Sequence, residues 1–208
     1  MVCAGNICRS PLAEQLFRAR AREHGLPAEV HSAGTFAVNG HGMTPEAAAL
    51  SLRYGGVEHP HQARQLTASL VESADLVLTA TREQRSVVVA LHPRAARYSY
   101  TLTQFARLLP TALPPWNVSD PLDERARQFE TPEPATVRAL IAEVSAMRGF
   151  SPPPENPDDD DVEDPYRQSR AVYERVGTRI NSAVGSITAA LASAAVRTQL
   201  VRRPSEDH

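Results

Sequence analysis

The stretch Val2-Cys3-Ala4-Gly5-Asn6-Ile7-Cys8-Arg9-Ser10-Pro11 decides how the rest of the chain is read. A short apolar start ends in a cysteine, and a loop of small and polar residues follows. Ser10-Pro11 then signals a helix, with a hydroxyl N-cap and proline at the first helical position. Leu12, Ala13, Leu16 and Phe17 mark one face of that helix until His24-Gly25 stops it. A loop between a strand end and a helix start aims its backbone N–H groups and the positive helix end at one point, where a phosphate binds. Gly5 and Asn6 are residue types that tolerate the unusual backbone angles such a cradle needs. A thiolate at the same point is favoured by the helix end and a guanidinium. Cys and Arg six positions apart carry little weight alone, because 22 arginines make the spacing common by chance. Their place between strand and helix gives the pair its meaning.

Working outward, Val30 to Thr35 reads as a short strand. Thr44-Pro45-Glu46 opens a second helix that ends at Gly55-Gly56. Asp75 to Thr79 is an apolar run short enough for a buried parallel strand. Thr81 to Gln84 has capping-box spacing and begins a helix through Leu91. A further helix is expected from Thr103 to Leu109. Strands alternating with helices predict an α/β fold, an open parallel sheet flanked by helices on both faces. Beyond Leu109 the character changes. Pro134 to Arg148 reads as helical, and Ser151 to Glu163 (SPPPENPDDDDVE) is a stretch of prolines and acids. Residues 110–163 therefore read as an insertion in a single domain of 1–208, ending in a flexible, solvated acidic segment. From Arg167 to about Leu200 a long helix closes the domain. Its stripe of Val172, Val176, Ile180, Val184, Ile187 and Leu191 is expected to face the core. Residues 201–208 read as a disordered tail.

Composition bounds the function. The 208 residues suit one domain, and a formal charge of −2 exerts no global pull towards nucleic acid or membrane. All 22 basic residues are arginine, which with abundant alanine reads as codon bias. Two cysteines five positions apart make no disulfide framework, so a reducing, cytoplasmic setting is expected, without a secretory leader. Ile180 to Val196 carries no charge, but its Ala, Ser, Gly and Thr are too weakly apolar to span a bilayer. The histidines lack metal-ligand spacing and the aspartate run matches no calcium loop, so no metal or other cofactor is expected.

The loop Cys-x-Gly-Asn-Ile-Cys-Arg-Ser-Pro resembles the signature of the low-molecular-weight protein tyrosine phosphatases, in their bacterial form. The resemblance continues through Leu12-Ala13-Glu14, Ser32-Ala33-Gly34-Thr35, Ala63-Arg64-Gln65-Leu66-Thr67, Ala74-Asp75-Leu76-Val77-Leu78 and Asp164-Pro165-Tyr166. It implies that Cys3 attacks phosphorus in line and forms a phosphocysteine, while Arg9 holds two equatorial oxygens. Ala4, Gly5, Asn6, Ile7 and Cys8 would form the cradle, and Ser10 would hydrogen-bond the Cys3 thiolate. Asn6 would hold the loop's shape with Ser32 and His61 as supporting partners. Cys8 would be a second loop cysteine, able to form a reversible disulfide with Cys3. The implied partners are phosphotyrosine proteins, with a tyrosine kinase among the family-level possibilities.

One carboxylic acid can protonate the leaving phenolate and then activate water. Asp-Pro occurs at Asp120-Pro121 and Asp164-Pro165, and Asp-Pro is also a common turn pair. Asp164, followed by Tyr166 and the closing helix, matches the family's acid loop, with Tyr166 on the rim against the substrate ring. Two features depart from the pattern. Only Met1 and Val2 precede Cys3, where the family has a longer strand: either the start lies upstream of Met1, the reading favoured here, or the first strand is too short and holds the loop poorly. Val38 stands where relatives carry an aromatic wall, with Phe36 a possible substitute. Three alternatives stay open: an inactive phosphate-binding relative, a phosphoarginine phosphatase and an arsenate reductase. Ile7 points to tyrosine, since threonine there is associated with phosphoarginine. Arsenate reduction passes a disulfide to further cysteines, and the chain has none beyond Cys8.

Overall fold

The computed structural model describes residues 1–57, 59–112 and 134–202. Four short parallel strands make the sheet: β1 (Val2–Cys3), β2 (Ala33–Gly34), β3 (Val77–Thr79) and β4 (Ser99–Thr101), in the order β2-β1-β3-β4. The chain runs one way from β1 to β2 and the other way to β3 and β4. The carboxyl end of β1 therefore lies at the point where the winding reverses, the usual ligand position in such sheets. The strands are shorter than the apolar runs predict: Val30 to Thr35 contributes only Ala33–Gly34, and Asp75 to Thr79 only Val77–Thr79.

Seven helices follow from local signals: α1 (Arg9–Glu23), α2 (Pro45–Arg53), α3 (Ala68–Glu72), α4 (Arg82–Leu91), α5 (Leu102–Ala112), α6 (Pro134–Met147) and α7 (Arg170–Arg202) among the described residues. Thr44 and Thr67 cap α2 and α3, each hydroxyl accepting an N–H of the first turn. Thr81 and Gln84 form a reciprocal capping box on α4. The start of α1 differs from expectation. It begins at Arg9, with Cys8 as an N-cap that makes no side-chain capping bond. Pro11 sits two residues inside, where a missing N–H costs nothing because the first helical amides have no intrahelical acceptor. Ser10 is freed from capping for work inside the loop.

Side chains alternate across the sheet, as a period of two requires. Val2, Ala33 and Val77 pack with Val71 of α3 and Val88 of α4 on one face. Cys3, Leu78 and Tyr100 face the other way, into a larger core built by α1, α2, α5, α6 and α7. The α7 stripe buries Val176, Ile180, Val184, Ile187 and Leu191, with Val172 half-buried. Each large side chain so buried contributes about 1.5–3 kcal/mol. Among the described residues no helix is long and apolar enough to cross a membrane.

The flexible, solvated ending expected for the 110–163 segment needs correction. Helix α6 sends Leu140, Ile141 and Val144 into the main core against α5 and α7. The acidic stretch is not a solvated tether. Pro157–Asp160 form a 3-10 turn capped by Asn156, Asp160 is 4% exposed, and Val162 is fully buried. Its charges pack because arginines meet them, a feature that composition alone does not reveal. Asp120-Pro121 and the terminal segment from 203 lie outside the described residues.

Candidate active site

The loop 4–8 is held from outside by its own carbonyls. Those of Cys3, Ala4, Gly5 and Ile7 accept the backbone N–H groups of Thr35, Phe36, Val38 and Thr44. The Asn6 carbonyl accepts the ring N–H of His61 at 2.6 Å. In a planar trans peptide the N–H points opposite to its C=O. Five carbonyls tied outward therefore turn the N–H groups of Ala4 through Cys8 inward, towards the start of α1. Gly34 is required under this loop: a Cβ there would stand 2.3 Å from the Ala4 carbonyl oxygen.

Asn6 is the keystone. It adopts φ +56°, a left-handed conformation that asparagine tolerates, whereas Gly5 does not take up a positive φ. The fully buried Asn6 side chain donates to Ser10 Oγ at 2.8 Å and Ser32 Oγ at 2.9 Å, and its Oδ1 accepts the Arg64 N–H at 2.9 Å. Cys3 Sγ lies 3.0 Å from Ser10 Oγ. Ser32 in turn donates to Glu14 at 2.5 Å, and Arg64 Nε donates to the Ser32 carbonyl at 2.9 Å. Glu14 and Arg64 fall within the resembling segments, but neither was assigned a role from sequence. Glu14 stands one helical turn after Ser10, on the same side of α1, which is the signal that could have found it.

Arg9 is 5% exposed and works across a long sequence separation. Nη1 donates to the Val162 carbonyl at 2.9 Å, and Nη2 pairs with Asp164 Oδ2 at 2.7 Å. Its Nε is buried without a partner among the described residues. Asp164 is half exposed, and its Oδ1 accepts the Tyr166 N–H at 3.2 Å. Tyr166 is 45% exposed, and the Arg167 guanidinium lies over its ring at 5.1 Å. Phe36 and Val38 are exposed on the loop after β2.

Cys8 points away into the core. Its Sγ lies 3.5 Å from Thr44 Oγ1 and 3.7 Å from Tyr173 Oη, two partners that sequence reading missed. Burial pushes the Cys8 thiol up, more than the two hydroxyls pull it down. Burial likewise raises the Tyr173 phenol to about 12. Both groups are therefore neutral hydrogen-bonding partners at physiological pH.

Residues 1–147 match the family model described as low molecular weight phosphotyrosine protein phosphatase. The chain belongs to this family. A protein-arginine-phosphatase of Bacillus subtilis is 38% identical over 104 residues, covering 50% of this chain and 69% of that protein. A probable low molecular weight protein-tyrosine-phosphatase, EpsP, of Ralstonia solanacearum is 32% identical over 151 residues, covering 72% of this chain and 95% of that protein. Among solved structures, the arginine phosphatase YwlE of Geobacillus stearothermophilus superposes with a TM-score of 0.61 at 23% identity, covering 99% of this chain and 96% of that one. The family resemblance, the open parallel α/β sheet and the assignment as a phosphatase all stand.

Proposed function

We infer that the chain hydrolyses phosphotyrosine in proteins through a phosphocysteine on Cys3. The observation that carries this reading is the meeting of Arg9 and Asp164, 2.7 Å apart, beside a loop whose floor holds Cys3 Sγ. A nucleophile, a guanidinium and a half-exposed carboxyl group thus meet around one loop, with Arg9 Nη1 and Nη2 engaged by Val162 and Asp164 and Nε without a partner among the described residues. In the first step the Cys3 thiolate attacks phosphorus, the P–O bond to the phenol breaks, and the Asp164 carboxyl gives the leaving oxygen its proton. The inward N–H groups of 4–8 and the unpartnered Nε of Arg9 supply donors where charge develops on the equatorial oxygens. In the second step the Asp164 carboxylate takes a proton from water, water oxygen attacks phosphorus, and the thiolate leaves. The Ser10 hydroxyl supports that departing thiolate by donating to Cys3 Sγ. Ser32 and His61 keep Asn6, and through it the loop, in shape. No step calls for a metal ion.

The apolar character of Ile7, Phe36, Val38 and Tyr166 favours an aromatic leaving group over a cationic one. A second reading, phosphoarginine, has the 38% identical relative behind it. Hydrolysis of a phosphotyrosine peptide and a phosphoarginine peptide in EDTA, by the wild type and Cys3→Ser, separates them. The expected result is faster turnover of phosphotyrosine, abolished by the substitution. Preference for phosphoarginine would replace the substrate and keep the mechanism, whereas activity surviving in Cys3→Ser would overturn the mechanism.

A further inference from the structure

Four aspartates in succession, Asp158 to Asp161, lie just before the residue assigned above as the acid, and each is held by an arginine. Asp160 takes the Arg107 guanidinium in a two-pronged grip, Nε at 3.1 Å and Nη2 at 2.8 Å, while Arg107 Nη1 donates to the Pro152 carbonyl at 3.0 Å. Thr103 Oγ1 donates to the Asp160 carbonyl at 2.6 Å. Asp161 accepts both the backbone N–H of Arg82, at 2.8 Å, and its side chain, which also reaches Asp158 at 2.7 Å. Arg179 of α7 donates to the Asp159 carbonyl. The chain then enters the site. The Val162 N–H donates to the Ala80 carbonyl at 2.8 Å, past the end of β3, and the Val162 carbonyl receives Arg9.

We propose that the Asp158–Asp161 run is a strap that positions the acid, with Arg107 and Arg82 as positioning residues for Asp164. The physical case is one of leash length. Only three residues separate the buried Asp160 anchor from Asp164, and Val162 among them is fixed at both its N–H and its carbonyl. Asp164 itself is half exposed and, among the described residues, bonds only Arg9 and the Tyr166 N–H. Its place beside the phosphate loop is therefore set by the backbone, and the backbone is set by the strap. Asp160 also explains a composition that looked merely solvating: a carboxylate 4% exposed persists only if paired. This inference rests on the assignment of Asp164 as the general acid.

A selective readout separates positioning from simple stabilisation. Loss of a general acid harms substrates with poor leaving groups and spares those with good ones. kcat/KM is to be measured for phenyl phosphate and 2,4-dinitrophenyl phosphate in the wild type, Asp164→Asn, Arg107→Gln, Arg107→Lys and Asp160→Asn. Asp164→Asn should lose ~100-fold on phenyl phosphate, the scale of general acid catalysis, and little on the dinitrophenyl ester. Arg107→Gln and Asp160→Asn should each show the same selectivity, with roughly tenfold loss on phenyl phosphate and Arg107→Lys partly restored. Should the Arg107 variants fail to fold, Arg82→Ala, at a more exposed side chain, should give a smaller loss with the same selectivity. Equal losses on both esters, or none, in the strap variants beside a selective Asp164→Asn overturn the strap and leave the acid standing. An Asp164→Asn enzyme without selectivity removes both.

Discussion

At the scale of the residue, two cysteines five positions apart have been given opposite environments. Cys3 ends β1 and touches Ser10 beside the 4–8 loop, whereas Cys8 turns into the core between Thr44 and Tyr173. Burial raises the Cys8 thiol, so it stays protonated and poorly nucleophilic at neutral pH. Iodoacetamide at neutral pH is therefore expected to label Cys3, with loss of activity and protection by inorganic phosphate. Cys8 should be labelled only after unfolding. Peptide mapping by mass spectrometry checks this, and native labelling of Cys8 at a comparable rate would refute it. The local sequence was informative here because the loop is contiguous: Cys3, Asn6, Arg9 and Ser10 lie within eight residues. It misassigned Ser10 as a helix cap because a serine before proline looks the same whether it caps or bonds a thiol. Of the two residues whose types tolerate unusual backbone angles, Gly5 and Asn6, it is Asn6 that carries the left-handed angle, and its side chain makes three hydrogen bonds.

At the scale of the element, helix α6 joins the domain's core. Leu140 is 2% exposed and packs with α5 and α7, so Leu140→Ala should cost about 2–5 kcal/mol in urea unfolding. A cost under about 1 kcal/mol would return α6 to the status of an appendage. Helix positions were legible wherever the signal lay in neighbouring residues. Thr44-Pro45 and the Thr81–Gln84 box were read correctly, and α7 declared its stripe. The acidic run was illegible for the opposite reason. Its partners Arg82, Arg107 and Arg179 come from three different helices, and a row of aspartates gives no hint of which arginines await it. Strand length was overestimated because the flanks of the predicted runs do not continue the ladder: Val30 is buried outside it, while His31 and Asp75 are exposed.

At the scale of the whole molecule, the last third of the chain completes what the first ten residues begin. Arg9 reaches Val162 and Asp164, and Tyr173 of α7 reaches Cys8. That closure carries a pH signature. An unfolded tyrosine loses its proton near 10, while folded Tyr173 holds it to about 12, so in this window the unfolded state binds fewer protons. Stability is fully present below the unfolded value and falls as pH rises through the window; buried Cys8 acts in the same direction. The urea midpoint should accordingly drop between about pH 10 and about pH 12, and Tyr173→Phe should flatten the drop. A midpoint that falls equally in the variant would place the alkaline loss elsewhere.

The central claim is covalent, and rapid quenching tests it most directly. The protein is mixed with a phosphotyrosine peptide in EDTA, stopped in acid within the first turnover, digested and mapped by mass spectrometry. One phosphoryl group on Cys3, absent from Cys3→Ser, is the predicted result. A turning-over enzyme with Cys3 unmodified throughout, or with phosphate on another residue, would contradict the account.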